Sequence, residues 1–483
     1  MISNNELQNI LQIGIDLSSQ KDKNKLLEKM INKAVDITNC DAATLYLVNK
    51  DTLEFKIMIT KSQNIYKGFN DDNIDLPPVE IKEENVCSYS VIHKKFINIS
   101  DVYESKMFDF SGPKRYDKLT NYRTKSMLVI PMCDIEEKVI GVLQLINKMK
   151  DNVIISFTED DAFILRSLGS MAAVSISNML YLEEIKIQME SFVESFATAI
   201  DKRTPYNGSH TRKVTEYALI LANKINEEYK NNRFNEYFDS DRLDVLKLSA
   251  GLHDIGKMII PLSVMNKETR LGDKLDKIIE RFKYIKALLK IDVLENTIEK
   301  SVYQEKINEL DEILINIKTI NTIGFVSDEY VEIINRYSKL SYKNKEVYIK
   351  YLEDDEIENL LVIKGTLTKS ERLIMESHVK MTYEILKQVH FNEKYSNIIR
   401  FASNHHEYLD GSGYPNGLKA EELELESRIL TIVDIYDALT CKDRPYKKPI
   451  PPIRAFAILE DMAKEGKLDH NLVLLFKNAF GIE

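Results

Sequence analysis

Histidine is scarce in this chain, with eight among 483 residues. Two of them adjoin in the run His405-His406-Glu407-Tyr408-Leu409-Asp410-Gly411-Ser412-Gly413-Tyr414-Pro415. A third stands beside a carboxylate in Gly251-Leu252-His253-Asp254-Ile255-Gly256-Lys257. Neutral imidazoles next to carboxylates are good ligands for divalent transition metals at neutral pH. A glycine-rich loop directly after such a pair lets backbone approach a bound phosphate. The two runs point to a metal site built to hydrolyse a phosphate ester. Runs this far apart can share one site only if the chain folds back on itself.

Five histidines and two aspartates stand out: His210, His253, Asp254, His378, His405, His406 and Asp434. Each lies in a helix-patterned segment or at its end, and Ser209 is placed to cap the segment that His210 opens. Asp434 sits in the apolar run Ile429–Asp437, where a lone acid would be expensive to bury. A cation is its natural partner. His93, His390 and His470 lack such settings and read as structural or solvent-facing residues.

The length suits two or three domains. A hydrophobic content of 44% and a charged content of 29% are those of ordinary globular domains. A net charge of -10 argues against general nucleic-acid binding, so an anionic substrate would need positive groups inside its pocket. Cys40, Cys87, Cys133 and Cys441 are scattered and read as reduced cytosolic thiols. The start lacks the pattern of a secretory signal, and no run of 18 apolar residues marks a membrane span. A cytoplasmic protein is expected.

Residues 1–160 mix helix and strand signals. Alternating runs at Ala43–Val48, Met127–Met132 and Val139–Lys148 imply an α+β domain with an antiparallel sheet, and the polar stretch Cys133–Lys138 suits a hairpin loop. Residues 161–200 read as a long linker helix, opened by Thr158 as N-cap with Asp161 three residues on. Leu168, Met171, Ser175, Asn178, Leu182, Ile185, Met189, Phe192, Phe196 and Ala199 step by three and four along it. That is a heptad seam with polar breaks at Ser175 and Asn178, suited to a parallel homodimer. Residues 201–483 are almost entirely helix-patterned. Within them, 267–363 is rich in charge and contains no histidine, so it reads as a helical insertion and not a ligand donor.

The region of about 195–470 resembles the HD-GYP family of cyclic-dinucleotide phosphodiesterases. The resemblance rests on His253-Asp254, on Gly413-Tyr414-Pro415, and on Asp434-Ile435-Tyr436-Asp437-Ala438-Leu439-Thr440 followed by Arg444-Pro445-Tyr446-Lys447. It implies an all-α bundle holding iron or manganese. The ligands would be His210, His253, Asp254, His378, His405, His406 and Asp434, with Asp254 bridging two ions. Some members of the family have a Glu four residues before the first His. Tyr206 stands there in this chain, so two ions are expected and not three. The gap between Asp254 and His378 is longer than usual in the family, and the insertion accounts for it. Residues 5–160 more loosely resemble a GAF sensor domain. Asn147-Lys148, Phe157 and Asp161 match part of a pattern found in cyclic-nucleotide-binding members, with Ala162 where that pattern has Glu.

Two divalent ions in such a site would activate a water for in-line attack on phosphorus. Lys257, one turn from Asp254, can reach the same phosphate. Arg444 and Lys447 would clamp phosphate oxygens, and Gly413, Tyr414 and Pro415 would shape a loop against the substrate. Asp437, three residues after Asp434, would orient Lys257 or a water. The expected activity is hydrolysis of cyclic di-GMP to pGpG and/or GMP, governed by the N-terminal domain and by whatever small molecule that domain binds. Two alternatives stay open: a cyclic-dinucleotide receptor without turnover, and an HD-type phosphohydrolase acting on another nucleotide.

Overall fold

The computed structural model describes residues 12, 14–16, 19–20, 22–68, 76–203, 209–344, 347–441 and 449–482. Tyr206, Arg444 and Lys447 lie outside the described residues. The chain divides into two compact units, up to Gln188 and from Met189 onward.

The first unit is built on an antiparallel sheet. Its strands are β1 (Cys40–Asn49), β2 (Thr52–Thr60), β3 (Ile65–Lys67), β4 (Val79–Glu80), β5 (Ile97–Ile99), β6 (Met127–Cys133), β7 (Val139–Lys150) and β8 (Val153–Ile155). The spatial order is β3-β2-β1-β7-β6-β5, with β4 paired to β2 and β8 to β7. Side chains alternate between the two faces of a strand. Accordingly Leu45, Leu128, Ile130 and Leu143 join one apolar layer with the Lys23–Thr38 helix. Tyr46, Met127, Val129 and Val142 join the other, with Val86, Val102 and Phe110. The polar turn between β6 and β7 is closed by Asp134, whose carboxylate accepts from the Lys138 amide at 2.9 Å.

The long helix spans Glu159–Arg203. Thr158 and Asp161 cap it reciprocally: the Thr158 amide donates to the Asp161 carboxylate at 2.7 Å, and the Asp161 amide to the Thr158 hydroxyl at 3.1 Å. Its beginning is core, since Ala162, Leu165, Leu168, Ala172 and Ile176 pack into the first apolar layer. Its middle is bare: Leu182 is 67% exposed, Ile185 60% and Phe192 65%. Among the described residues this is the one helix long and apolar enough to cross a membrane by composition, and 44% of its apolar window is buried inside the protein. Helices that serve as the core of a globular domain pass that test equally.

The second unit has two apolar cores. One gathers helices His210–Lys230, Ser240–Leu252, Ile398–Ser403, Leu425–Thr440, Pro452–Lys464 and His470–Ala479. The other lies wholly inside the insertion, where helices Lys274–Leu294, Lys300–Thr322, Asp328–Tyr337 and Asp354–Leu360 surround Ile278, Phe282, Ile317 and Leu352. Arg270, fully buried, fastens the base of the insertion by donating to the carbonyls of Val362 (2.8 Å), Ile320 (2.9 Å) and Ile323. The all-helical expectation needs one correction. Ser341–Lys343 pairs antiparallel with Tyr348–Lys350. The Tyr342 phenol buries against Asp292 at 2.7 Å and draws this short ribbon onto the helices.

Candidate metal centre

Five separate segments bring the candidate ligands together. His253 ends the Ser240–Leu252 helix, and Asp254 leads into the tight turn Ile255–Met258. That turn is pressed onto the Lys369–Leu386 helix, which carries His378. Gly256 makes the approach possible, because a Cβ there would stand 1.9 Å from the His378 carbonyl oxygen and 2.5 Å from the Thr382 nitrogen. Thr382 closes the joint: its hydroxyl donates to the His253 carbonyl at 2.9 Å and accepts from the Gly256 amide at 3.0 Å. His210 opens its own helix, Asp434 sits mid-way along Leu425–Thr440, and His405 and His406 follow Ile398–Ser403.

All seven candidate ligands converge. Asp254 lies 3.3 Å from His253 Nε2, 3.4 Å from His210 Nε2, 3.5 Å from His378 Nε2 and 3.9 Å from His405 Nε2. Asp434 lies 3.3 Å from His210 Nε2 and 3.9 Å from both His253 Nε2 and His406 Nδ1. Two tighter groups stand out within the set, His210–His253–Asp254 and His378–His405–His406, each with its ligand atoms within 4.8 Å of one another.

The protonation pattern of the imidazoles is set from behind. Nδ1 of His253, His378 and His405 donates to the carbonyls of Ala250, Met375 and Ala402 at 2.7, 2.6 and 2.7 Å. A carbonyl only accepts, so each ring carries its proton on Nδ1 and turns a bare Nε2 lone pair inward. His210 is held at Nδ1 by the Asp437 carboxylate at 2.6 Å. Nε2 of His210, His253, His378 and His405 and Oδ1 of Asp254 are buried without a hydrogen-bond partner. Buried polar atoms are almost always satisfied, so five orphans, four imidazole nitrogens and Oδ1 itself, gathered at the Asp254 carboxylate are a strong demand for positive charge. The donor set, imidazole with carboxylate, fits divalent transition metals.

Electrostatics agree with that assignment. Burial pushes His378 down to about 3 and His405 well below the usual histidine range, which favours the neutral imidazole that a metal ligand must be. Burial would raise Asp254, but Lys257 and the nearby imidazoles hold its carboxyl well below the ordinary range. Burial would likewise raise Asp434, which His210 and His406 hold well below it. His210 is the exception. Burial would lower it, yet the carboxylates of Asp254 and Asp434 facing Nε2 and of Asp437 hydrogen-bonded at Nδ1 hold it well above the usual value. A divalent cation supplies the positive charge that a proton otherwise brings to that nitrogen.

The Gly-Tyr-Pro loop borders the site. A Cβ on Gly413 would stand 2.4 Å from the Tyr408 nitrogen and 2.6 Å from the His406 carbonyl oxygen, so only glycine lets the loop lie on that backbone. The Tyr414 ring stacks on His406, with centroids 4.8 Å apart, and Tyr414 leads into a cis bond to Pro415. Lys257 pairs through Nζ with Asp254. Asp437, expected to orient Lys257 or a water, places one carboxylate oxygen on His210 Nδ1, while its Oδ1 is buried without a hydrogen-bond partner. Three contributors escaped the sequence: Thr382, Glu407 and Arg203. Glu407 is buried and accepts from the amides of Asn416 (2.7 Å) and Leu418 (3.0 Å), which holds the loop closed. Its place directly after His405-His406 was the available signal.

Family comparison resolves the two ends of the chain. A GAF domain model matches residues 22–176 and an HD domain model matches residues 355–472. The chain carries a GAF domain and an HD domain. The HD match holds His378, His405, His406 and Asp434; His210, His253 and Asp254 lie before the insertion and join them in space. Among curated relatives, a 3'3'-cGAMP-specific phosphodiesterase 3 of Vibrio cholerae is 38% identical over 97 residues, 20% of this chain and 20% of the relative. A dual 3',5'-cyclic-AMP and -GMP phosphodiesterase 11A of Takifugu rubripes is 29% identical over 179 residues, 36% of this chain and 19% of the relative. The cyclic di-GMP phosphodiesterase response regulator RpfG of Xanthomonas campestris is 39% identical over 113 residues, 23% of this chain and 28% of the relative. The matched stretches thus span less than a third of those relatives' lengths. Among solved structures, the GAF domain of an Acinetobacter phosphoenolpyruvate-protein phosphotransferase aligns over 38% of this chain and 99% of its own, at 18% identity and a TM-score of 0.29.

Proposed function

We propose that this protein is a metal-dependent phosphodiesterase that hydrolyses cyclic di-GMP to pGpG and/or GMP. The observation that carries the reading is the set of orphaned imidazole nitrogens around Asp254 and Asp434, bordered by a glycine-cleared loop. His210, His253, Asp254, His378, His405, His406 and Asp434 would hold two iron or manganese ions, with Asp254 between the two histidine groups. Ions bound there supply Lewis acidity and an activated water for attack on phosphorus.

The chain's own residues do the rest. Lys257 presents an ammonium at the edge of the Asp254 carboxylate and can shift to a phosphate oxygen. Gly413 leaves backbone room beside His406, and Tyr414, stacked on that imidazole, offers a flat apolar face for a base. Pro415 fixes the turn after it. Arg444 and Lys447 follow the Asp434 helix in sequence and would neutralise the remaining phosphate charge. The GAF domain would regulate turnover through a small molecule. A cytoplasmic homodimer, paired through the exposed stripe of the long helix, completes the reading.

A relative specific for 3'3'-cGAMP favours a mixed cyclic dinucleotide as the second reading. Purified, metal-loaded protein incubated with cyclic di-GMP, 3'3'-cGAMP, cyclic di-AMP and cyclic mononucleotides separates the two. Faster release of linear product from cyclic di-GMP is expected. Preference for 3'3'-cGAMP would transfer the assignment, and tight binding without turnover would make the protein a receptor.

A further inference from the structure

The last turn of the Glu159–Arg203 helix touches two separate segments that flank the His210–His253–Asp254 half of the candidate metal centre. Arg203 reaches across to the segment that follows Asp254. Its Nη1 donates to the Lys257 carbonyl at 2.7 Å and also to the Met258 carbonyl, and its Nη2 donates to the Ile260 carbonyl at 3.0 Å. Two residues earlier, the buried Asp201 accepts from the Thr211 hydroxyl at 3.0 Å and lies 3.4 Å from the Thr211 amide, directly beside His210. The same stretch of helix rests on the His253 helix. Lys247 pairs with Glu190 at 2.7 Å, and a Cβ on Gly251 would stand 2.5 Å from a Val193 methyl.

The segment held by Arg203 has little else to fix its middle. Gly256 is pinned against the His378 helix and Ile260 is buried, but Met258 and Ile259 between them are exposed. The Lys257 carbonyl also accepts from the Ile260 amide at 3.2 Å, and a carbonyl has room for a second donor, so one guanidinium can serve several such groups at once. Lys257 is held from inside its turn, by its amide on the Asp254 carbonyl at 2.9 Å and its Nζ on the Asp254 carboxylate, and from outside by a side chain of the helix that leaves the GAF domain.

We propose that Arg203 is a positioning residue for Lys257, and that the Asp201–Arg203 turn is the point at which movement of the long helix is converted into a change of catalytic geometry. A displacement of this turn would draw the Lys257 segment through three carbonyls and the His210 end through Thr211. Positioning errors near 1 Å cost on the order of 100-fold in rate. The helix thus needs only a small shift to turn the site down. The inference rests on the phosphodiesterase reading for its kinetic part alone.

The test uses the full-length chain carrying Arg203→Ala or Arg203→Lys, with two readouts. The first is amide hydrogen exchange of peptides covering 256–262 and 240–252. The second is steady-state hydrolysis of cyclic di-GMP, with metal content measured alongside. Arg203→Ala is expected to speed exchange in 256–262 only, to keep wild-type metal content, and to lower kcat about 10- to 100-fold with a smaller change in KM. Arg203→Lys, which can still serve one carbonyl, should recover part of the rate. Unchanged local exchange, or faster local exchange with wild-type kcat, would overturn the proposal. Faster exchange throughout the HD domain in both variants would reduce Arg203 to a stability residue and overturn it too. If the wild type hydrolyses no cyclic dinucleotide while exchange in 256–262 responds as expected, the clamp stands and the phosphodiesterase reading fails.

Discussion

Two polar clusters, one in each unit, were singled out by motif, and they behave oppositely once folded. In the GAF domain, Asn147, Lys148 and Asp161 satisfy local protein groups. Lys148 pairs with Asp161, Asp161 caps the long helix through Thr158, and Asn147 bridges the Lys125 amide and the Arg123 carbonyl, each at 2.8 Å. In the HD domain the motif residues leave four Nε2 atoms and a carboxylate oxygen unsatisfied. Both clusters are buried and charged. Only the second is incomplete without a ligand. Hydrogen-bond satisfaction, more than motif or burial, separates a structural lock from a binding site.

The contrast can be broken by removing one acid from each cluster. Asp254→Ala should abolish phosphodiester hydrolysis and metal retention, because it strips the carboxylate that all four orphaned imidazoles approach. Its circular dichroism spectrum should stay that of the wild type. Full metal content with retained turnover would return Asp254 to a structural role.

Asp161→Ala should act the other way. The pair is partly buried, and losing a charge-assisted hydrogen bond of this kind costs about 1.5–3 kcal/mol. It also removes the cap partner of Thr158. Denaturant unfolding should show the GAF transition moving to lower concentration while metal content in the HD domain is unchanged. An unmoved transition would mean that the Lys148–Asp161 pair contributes nothing to stability.

Asp437 tests the layer behind the ligands. Losing the carboxylate that orients a ligand imidazole typically costs 10–100-fold in metal affinity. Competition with a chelator should place Asp437→Ala in that range, with ions still bound at saturating concentration. Wild-type affinity would mean that the packing around His210 alone suffices to aim it.

The long helix extends the comparison to apolar atoms. Leu165 and Leu168 are covered by the sheet, whereas Leu182, Ile185 and Phe192 are not. Light scattering should find the wild type dimeric and a Leu182→Glu/Ile185→Glu variant monomeric, with little loss of fold stability, since both side chains are exposed whereas Met189 packs against the second unit's core. Equal masses for the two would send the search for a dimer surface elsewhere, the insertion included.

Much of this was legible in the sequence, and the remainder was hidden for identifiable reasons. Alternation was read over β1, β6 and β7, each seven residues or more, while β2, nine residues long with Glu54 and Lys56 breaking its apolar run, was missed. β3, β4, β5 and β8 run two or three residues, too short to carry a period. The ribbon inside the insertion was missed for the same cause. The candidate ligands that converge in the fold were visible because their chemistry lies in the side chains. The carbonyls of Ala250, Met375 and Ala402 that fix the imidazoles are backbone atoms and leave no trace in residue identity. Asp437 was correctly placed on the Asp434 helix, but spacing cannot tell which neighbour a helix face will meet. Arg203 gave no signal at all, since its partners are carbonyls more than 50 positions away.

The most direct test of the central claim is metal analysis of anaerobically purified full-length protein, paired with turnover of cyclic di-GMP before and after chelation. The expected result is about two iron or manganese ions per chain, with turnover lost on chelation and restored by either metal. Ligands that bind only the folded state also raise its stability, so chelation should lower the melting temperature of the HD domain. A chain that purifies without metal and turns over unchanged in chelator would contradict the claim outright. Three ions per chain, or zinc alone supporting full turnover, would contradict the dinuclear iron or manganese assignment.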